Sequence, residues 1–296
     1  LLIFCADNGV VEEGVSQTGQ EVTAAVVSNM TRGRSCSCLM AEKAEADVFP
    51  IDMGIACEVE HRGELYPLTE RKIRRGTSNF TKAAAMTRQE VLTAILTGID
   101  AVRVLKEQGY RLSAVGEMGI GNTTTSSAVA SVLLQKDPEL VTGAGAGLDS
   151  AGLKRKTEVI RRGIGLHHPD PMDGMEVLQK VGGFDLAAMA GAFLGGAIYH
   201  VPVVIDGVIA AAAAAAAGRI APAATDYMLA AHVSAEPASI WLLDLIGVTP
   251  AIQAGLRLGE GTGALALFPL LDMALSIYRD MDTFAEMEIE EYKPLV

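Results

Sequence analysis

Short, mostly apolar runs that stop at a polar residue beside glycine recur along the chain. Residues 1–6 run into Asp7-Asn8-Gly9, residues 112–115 into Gly116-Glu117-Met118-Gly119, and residues 201–205 into Asp206-Gly207, while residues 227–233 run into Ser234. Runs this short, bounded by turn residues, predict strands buried on both faces. Residues 47–54 predict a further short strand, which Pro50 makes irregular or places at an edge. Between these runs the apolar positions fall at helical spacing. Residues 20–30 put Val22, Ala25, Val26 and Met30 on one face, and 35–46 continue in the same way. Residues 87–108 open on Thr87 with Glu90 three positions on, a capping box, and stop at Gly109. Helices are also predicted over 126–134, through Lys156, Val159 and Ile160, over 173–181, over 186–199, through the alanine run Ala210–Ala217, and over 264–278. Gly191, Gly195 and Gly196 predict that the 186–199 helix packs closely against a neighbour.

Strand and helix alternate throughout, which predicts a parallel sheet with helices on both faces. The fold class expected is α/β: a Rossmann-like three-layer sandwich with a mostly parallel sheet, plus a small helical subdomain from peripheral helices. No repeat or low-complexity linker divides the chain, so residues 1–296 are read as one domain. The chain opens inside a strand without Met, and a preceding N-terminal piece is expected. The segment 56–82 has no clear period. Its basic cluster Arg71, Lys72, Arg74 and Arg75 reads as a solvated loop, with a phosphate or partner contact as the alternative.

Composition narrows the function. Half the residues are hydrophobic and the formal net charge is −12, with no dense run of Lys or Arg, so no nucleic-acid partner is expected. No apolar stretch is long enough to span a bilayer and no signal peptide is present, so a membrane partner is not expected either. Four cysteines, Cys5, Cys36, Cys38 and Cys57, form no CxxC pair; a reduced, cytoplasmic protein is the simpler account. Cys36 and Cys38 have no matching metal-ligand pair, and the adjacent His167 and His168 read as exposed loop residues, so no metal is expected.

Two glycine-rich turns carry the candidate chemistry. The first, Gly116–Thr125, combines a carboxylate, glycines and a hydroxyl-rich helix start. It reads either as an anion or ligand site at a strand's carboxyl end or as a tight connection capped by Thr. The second, Thr142–Leu148, is followed by Lys154, Arg155 and Lys156 and suits an anion. It fails as a dinucleotide fingerprint, because position 148 is Leu and no clear strand precedes it. Glu260, in Leu258-Gly259-Glu260-Gly261, reads from the residues alone as a carboxylate set on the positive end of the last helix.

Taken in order, these motifs resemble the nicotinate-nucleotide:dimethylbenzimidazole phosphoribosyltransferase family. The resemblance rests on Cys5–Val10 with Glu13-Gly14-Val15, Asn29–Gly33, Gly116–Gly119 with Asn122-Thr123-Thr124, and Lys156 with Arg161-Arg162. It extends through Lys180–Leu186, Asp206-Gly207, His232 with Ser234-Ala235-Glu236, and Arg257–Ala264. It implies transfer of phosphoribose from nicotinate mononucleotide to 5,6-dimethylbenzimidazole, giving α-ribazole 5′-phosphate and nicotinate for the cobalamin lower-ligand loop. It also implies that Glu260 is the general base and that Glu117 is a supporting carboxylate. Asn122, Thr123, Gly143, Gly145 and Lys156 are then expected to hold phosphate and ribose. Asp206 and Ser234 are expected to contact substrate, and Thr18, Met118 and Leu258 to line the slot for the incoming base.

The reaction needs no cofactor: the pyridinium leaves as a neutral ring nitrogen, and one carboxylate suffices to take the proton from the incoming base. Members of the family usually carry a further N-terminal segment that helps to build the small subdomain and a homodimer. The family's first motif often reads Asp-His-Gly; Asn8 replaces the His here and, being an amide, has no acid–base role. The alternatives are an NAD-dependent dehydrogenase, suggested by the glycine loops, and a non-catalytic paralogue that binds benzimidazoles.

Overall fold

The computed structural model describes residues 1–63, 65–145 and 147–293. Six strands form one sheet in which every pairing is parallel: β1 (Leu2–Ala6), β2 (Phe49–Gly54), β3 (Thr69–Glu70), β4 (Ser113–Met118), β5 (Val203–Ile205) and β6 (Met228–Ala230). Their order across the sheet is β3-β2-β1-β4-β5-β6. The chain therefore builds outward from β1 in one direction, then returns to β4 and builds in the other. At that switch point the connections leaving β1 and β4 diverge and open a crevice at the strands' carboxyl ends.

The period-two alternation of the strands sorts the core into two layers. Leu2, Phe4 and Ala6 of β1, with Met53, Val115, Val203 and Ile205, join the larger apolar cluster. That cluster holds side chains of α3 (Arg88–Glu107), α4 (Asn122–Leu134), α7 (Gly174–Val181), α8 (Phe184–Tyr199) and α9 (Val208–Ile220). Ile3, Cys5, Ala114 and Val204 face the opposite cluster, which holds α1 (Glu21–Thr31), α2 (Cys36–Lys43) and the start of α11 (Thr262–Asp280). This is the expected α/β three-layer arrangement, with the sheet wholly parallel.

The capping box of α3 forms as predicted, with Thr87 and Glu90 bonded reciprocally. The alanine run lies in α9 and is buried all round, against α4, α7, α8 and α10 (Ser239–Leu245) as well as against the sheet. Small side chains are what allow one helix so many close neighbours. Three expectations differ from the structure. Helix α4 begins at Asn122 rather than at 126, because Gly121 supplies the left-handed backbone (φ 95°) that starts it. Its cap is that glycine, with no side-chain cap bond. Strand β3 falls in the segment read as irregular, since its two residues are exposed and polar and only their pairing with Ile51 and Asp52 makes them a strand. Strand β6 covers only the middle of 227–233; beyond it, His232 makes an isolated bridge with Ile252.

The basic cluster is taken up within the chain. Lys72 pairs with the buried Asp52 at 3.1 Å, Arg74 with Glu90 at 2.6 Å, and Arg75 with Glu58. Arg74 also lies over the Phe184 ring, 5.3 Å from its centre. Arg74 thus fastens the 56–82 segment to α3 and α8, and Lys72 ties it to β2. His167, expected in an exposed loop, instead closes α6 (Ser150–His167), half-buried with its ring bonded to the Phe80 carbonyl at 2.7 Å, while His168 is exposed. Among the described residues, no helix is long and apolar enough to cross a membrane.

Candidate functional site

A cleft of about 220 Å³ opens at the carboxyl end of the sheet, beside the switch point. Glu117, Met118, Asn122, Thr123, Gly145, Asp206, Ser234, Leu258 and Glu260 all line it, although they come from separate stretches of chain. Gly143 and Lys156 stand directly behind this lining. Lys156 Nζ donates to Thr123 Oγ1 at 3.0 Å and to the Gly143 carbonyl at 3.2 Å. Thr18 is exposed in the loop before α1 and is not among the lining residues. His232, Glu236 and Arg257 line the cleft without having been singled out. Each sits inside a motif quoted for the family resemblance, which was the signal available for them.

The floor of the cleft is the end of β4. Glu117 is buried, and the Asn122 amide donates to its Oε2. The backbone N–H of Glu260 also bonds this carboxylate. Burial, and then the negative Asp185 and Asp206, push Glu117 well above the usual carboxylate range. Asp185, at the start of α8, is raised to about 7, chiefly by burial. These surroundings disfavour the charged form of Glu117, and a cation placed beside it would favour that form.

Lys156 supplies the positive feature. Its side chain is almost wholly buried, and burial lowers its pKa to about 8, opposed by nearby Glu236. Close by, α4 starts without a side-chain cap, and the positive end of its dipole lies at Asn122 and Thr123 on the lining, although Asn122 N and Thr124 N already donate to the Gly119 and Gly121 carbonyls. The Gly143–Gly145 loop follows α5 (Pro138–Val141) rather than a strand, so it does not take the position of a dinucleotide fingerprint.

The roof is the turn Gly259-Glu260-Gly261, whose three residues all have left-handed backbone, with φ of 86°, 59° and 79°. Two glycines adopt this at no steric cost; Glu260 does not, and must be held there. The turn lies directly on β4. A Cβ at Gly116 would come within 2.6 Å of Gly261 N and 2.7 Å of the Glu260 carbonyl carbon, so only glycine in the strand allows the contact.

Asp206, at the end of β5, fixes the other side of the turn. Its Oδ2 accepts from Gly261 N at 3.2 Å and its Oδ1 from Ala264 N at 3.0 Å, and His232 Nε2 lies 3.9 Å from Oδ1. Each carboxylate oxygen thus accepts one backbone N–H, from the roof turn or from the start of α11, and Asp206, expected to contact substrate, still lines the cleft. The Asn122 amide likewise bonds to Glu117. Ser234 Oγ accepts from Glu236 N at 3.4 Å, and its own N–H donates to Ser239 Oγ at 2.9 Å. Among the described residues, no group of three or more His, Cys, Asp or Glu side chains is placed to hold a metal ion.

A family model described as "Phosphoribosyltransferase" matches residues 1–289. The chain is 46% identical, over its whole length and 83% of the relative's, to the nicotinate-nucleotide–dimethylbenzimidazole phosphoribosyltransferase of Ruminiclostridium cellulolyticum. It is 41% identical to the enzyme of the same name from Escherichia coli O1:K1, over 98% of this chain and 79% of that one. Among solved structures, the crystal structure of CobT from Thermus thermophilus superposes with a TM-score of 0.92 at 39% identity, covering 98% of this chain and 86% of the other.

Proposed function

This chain belongs to the phosphoribosyltransferase family whose model it matches over residues 1–289, and we propose that it transfers phosphoribose from nicotinate mononucleotide to 5,6-dimethylbenzimidazole or a related base. The relatives named above carry that activity in their names. The products are α-ribazole 5′-phosphate, used in the cobalamin lower-ligand loop, and nicotinate. The observation that carries the reading is one cleft that brings Glu117 and Glu260, with Asp206 and Glu236 also in its lining, near a buried lysine and a helix start without a side-chain cap.

The geometry supports the following roles. Lys156, Thr123, Gly143, Gly145 and the first turn of α4 receive the phosphate. Glu117 lies under the sugar: the cationic ribosyl-pyridinium ionises it, and its charge then supports the oxocarbenium-like centre. Met118 and Leu258 flank the incoming base, and Glu260 takes its proton. Inversion from a β-linked nucleotide to an α-linked product matches direct attack from the face opposite the leaving pyridine. Residues 1–296 act as one domain with a small helical subdomain, as a cytoplasmic homodimer. Exposed Leu270, Met273, Leu275 and Ile277 on α11 support an interface between copies, and the four free cysteines agree with a reducing compartment.

The test is incubation with nicotinate mononucleotide and a panel of bases, with mass detection of ribotide products and nicotinate. Binding of a benzimidazole without nicotinate release would favour the non-catalytic alternative. For the phosphate contact, Lys156→Ala is expected to raise KM for the mononucleotide about 10–100-fold, the equivalent of one charge-assisted hydrogen bond. Because the Lys156 pKa is lowered to about 8, its positive charge is present below that pH and lost above it. Wild-type kcat/KM for the mononucleotide should therefore fall as pH rises through 8. Lys156→Arg, charged at every accessible pH, should lose that limb. A KM untouched in Lys156→Ala places the phosphate elsewhere.

A further inference from the structure

The turn carrying Glu260 is tied at its backbone by Asp206 and Glu117. Its carboxylate is tied separately, from α2. Glu260 Oε2 lies 3.1 Å from Ser37 Oγ and 3.4 Å from Ser37 N. Ser37 is the second residue of α2 and is fully buried. It is itself held in place: the capping Ser35 hydroxyl accepts from Cys38 N at 3.3 Å and lies 2.7 Å from Ser37 Oγ. Helix α2 packs against α11, which starts immediately after the Glu260 turn, so this contact closes a separation of 223 residues.

We propose that Ser37 is a positioning residue for the general base: its hydroxyl and amide hold Glu260 Oε2, leaving Oε1 to receive the proton of the incoming base. This rests on the reading of Glu260 as the base. A glutamate on a turn has several staggered rotamers open to it, and only some aim the carboxylate at a substrate nitrogen. An amide in the first turn of a helix has no partner within the helix, and the helix dipole favours a negative charge at that end. Ser37 therefore restricts Glu260 to the rotamer that keeps Oε2 on its hydroxyl and amide.

The chemical step uses this arrangement as follows. The lone pair of one benzimidazole nitrogen forms the bond to the anomeric carbon. The carbon–nitrogen bond to the pyridinium breaks, and its electron pair goes to the pyridine nitrogen. The proton on the second benzimidazole nitrogen passes to Oε1 of Glu260. Ser37 touches neither substrate.

A contact that merely fastens α2 to the roof would change melting temperature and nothing else. A positioning role predicts that Ser37→Ala lowers kcat by about 10–100-fold, on the scale of a base misplaced by an ångström, with KM for both substrates unchanged. Ser37→Thr, which keeps the hydroxyl, should recover most of the loss. It also decides the matter if the alanine variant melts early. In a Glu260→Gln background, Ser37→Ala should cost nothing further, since the two act as a unit. Wild-type kcat in a folded Ser37→Ala variant overturns the proposal, as does an undiminished loss in the Glu260→Gln background. Wild-type turnover in Glu260→Gln alone instead removes Glu260 as the base, which is a separate failure.

Discussion

Glu260→Gln is expected to bind nicotinate mononucleotide with unchanged affinity and to lose about 10²–10⁴-fold in kcat, the usual contribution of a positioned base. The substitution keeps the length of the side chain. Gln can still accept from the Ser37 hydroxyl and amide through its oxygen, so the contact with α2 survives. That pose turns the amide NH₂ toward the incoming base, where a donor faces the donor N–H and no proton can be taken. The nucleotide should be indifferent to the change, since its phosphate end is read by Lys156, Thr123 and the start of α4. Isothermal titration with the mononucleotide, beside steady-state turnover with dimethylbenzimidazole, separates the two effects. Wild-type-like turnover would falsify the assignment of the base. Weakened nucleotide binding with unchanged kcat would place Glu260 in the phosphoribosyl subsite.

The ends of the strands were the most legible part of the site. Asp7, Glu117 and Asp206 each close an apolar run beside glycine, and a parallel sheet brings such ends to one edge. Glu117 and Asp206 do meet in the cleft. What each carboxylate does there was not legible. Asp206 and Asn122 line the cleft as expected of ligands, and the fold in addition bonds them to the Glu260 turn and to Glu117. That bonding depends on contacts between residues 55 positions apart in one case and on side-chain direction in the other.

Ser37 carries no signal of its own. It sits mid-pattern in a helix start, and its partner lies at the other end of the chain. Thr18, expected near the base slot, is exposed in the loop ahead of α1 and is not among the residues lining the cleft. Strand β3 could not be read from two exposed polar residues, because pairing alone defines it.

The site is organised by backbone more than by side chains. Gly116 lets the roof turn rest on β4, and Gly121 starts α4 abruptly after the carboxylate, so floor and roof are set by where a Cβ is missing. Glu260, in a left-handed conformation between two glycines, is the one non-glycine residue of the roof turn. Its placement is sustained from three elements, by Glu117 on β4, Asp206 after β5 and Ser37 on α2. An untethered Glu would relax that backbone.

The close packing that Gly191 and its neighbours announce in sequence predicts the largest effect on stability. Helix α3 crosses α8 so tightly that a Cβ at Gly191 would stand 2.1 Å from the Ile95 carbonyl oxygen, and one at Gly98 would stand 1.9 Å from that of Ala188. Both neighbours are backbone, which no rotamer change can move. Gly-to-Ala in a helix gains about 1 kcal/mol of propensity. Overpacking a rigid core costs about 1–3 kcal/mol, occasionally more, so the clash should win. Gly191→Ala is expected to melt lower than wild type and Gly191→Val lower still, with kcat of the folded enzyme retained because the crossing lies away from the cleft. Gly165, exposed in α6 with nothing near its missing Cβ, provides the control. Gly165→Ala should gain the propensity alone and melt higher. Thermal melts of the three variants decide the point: if Gly191→Ala matches Gly165→Ala, the two helices do not approach as closely as their glycines allow.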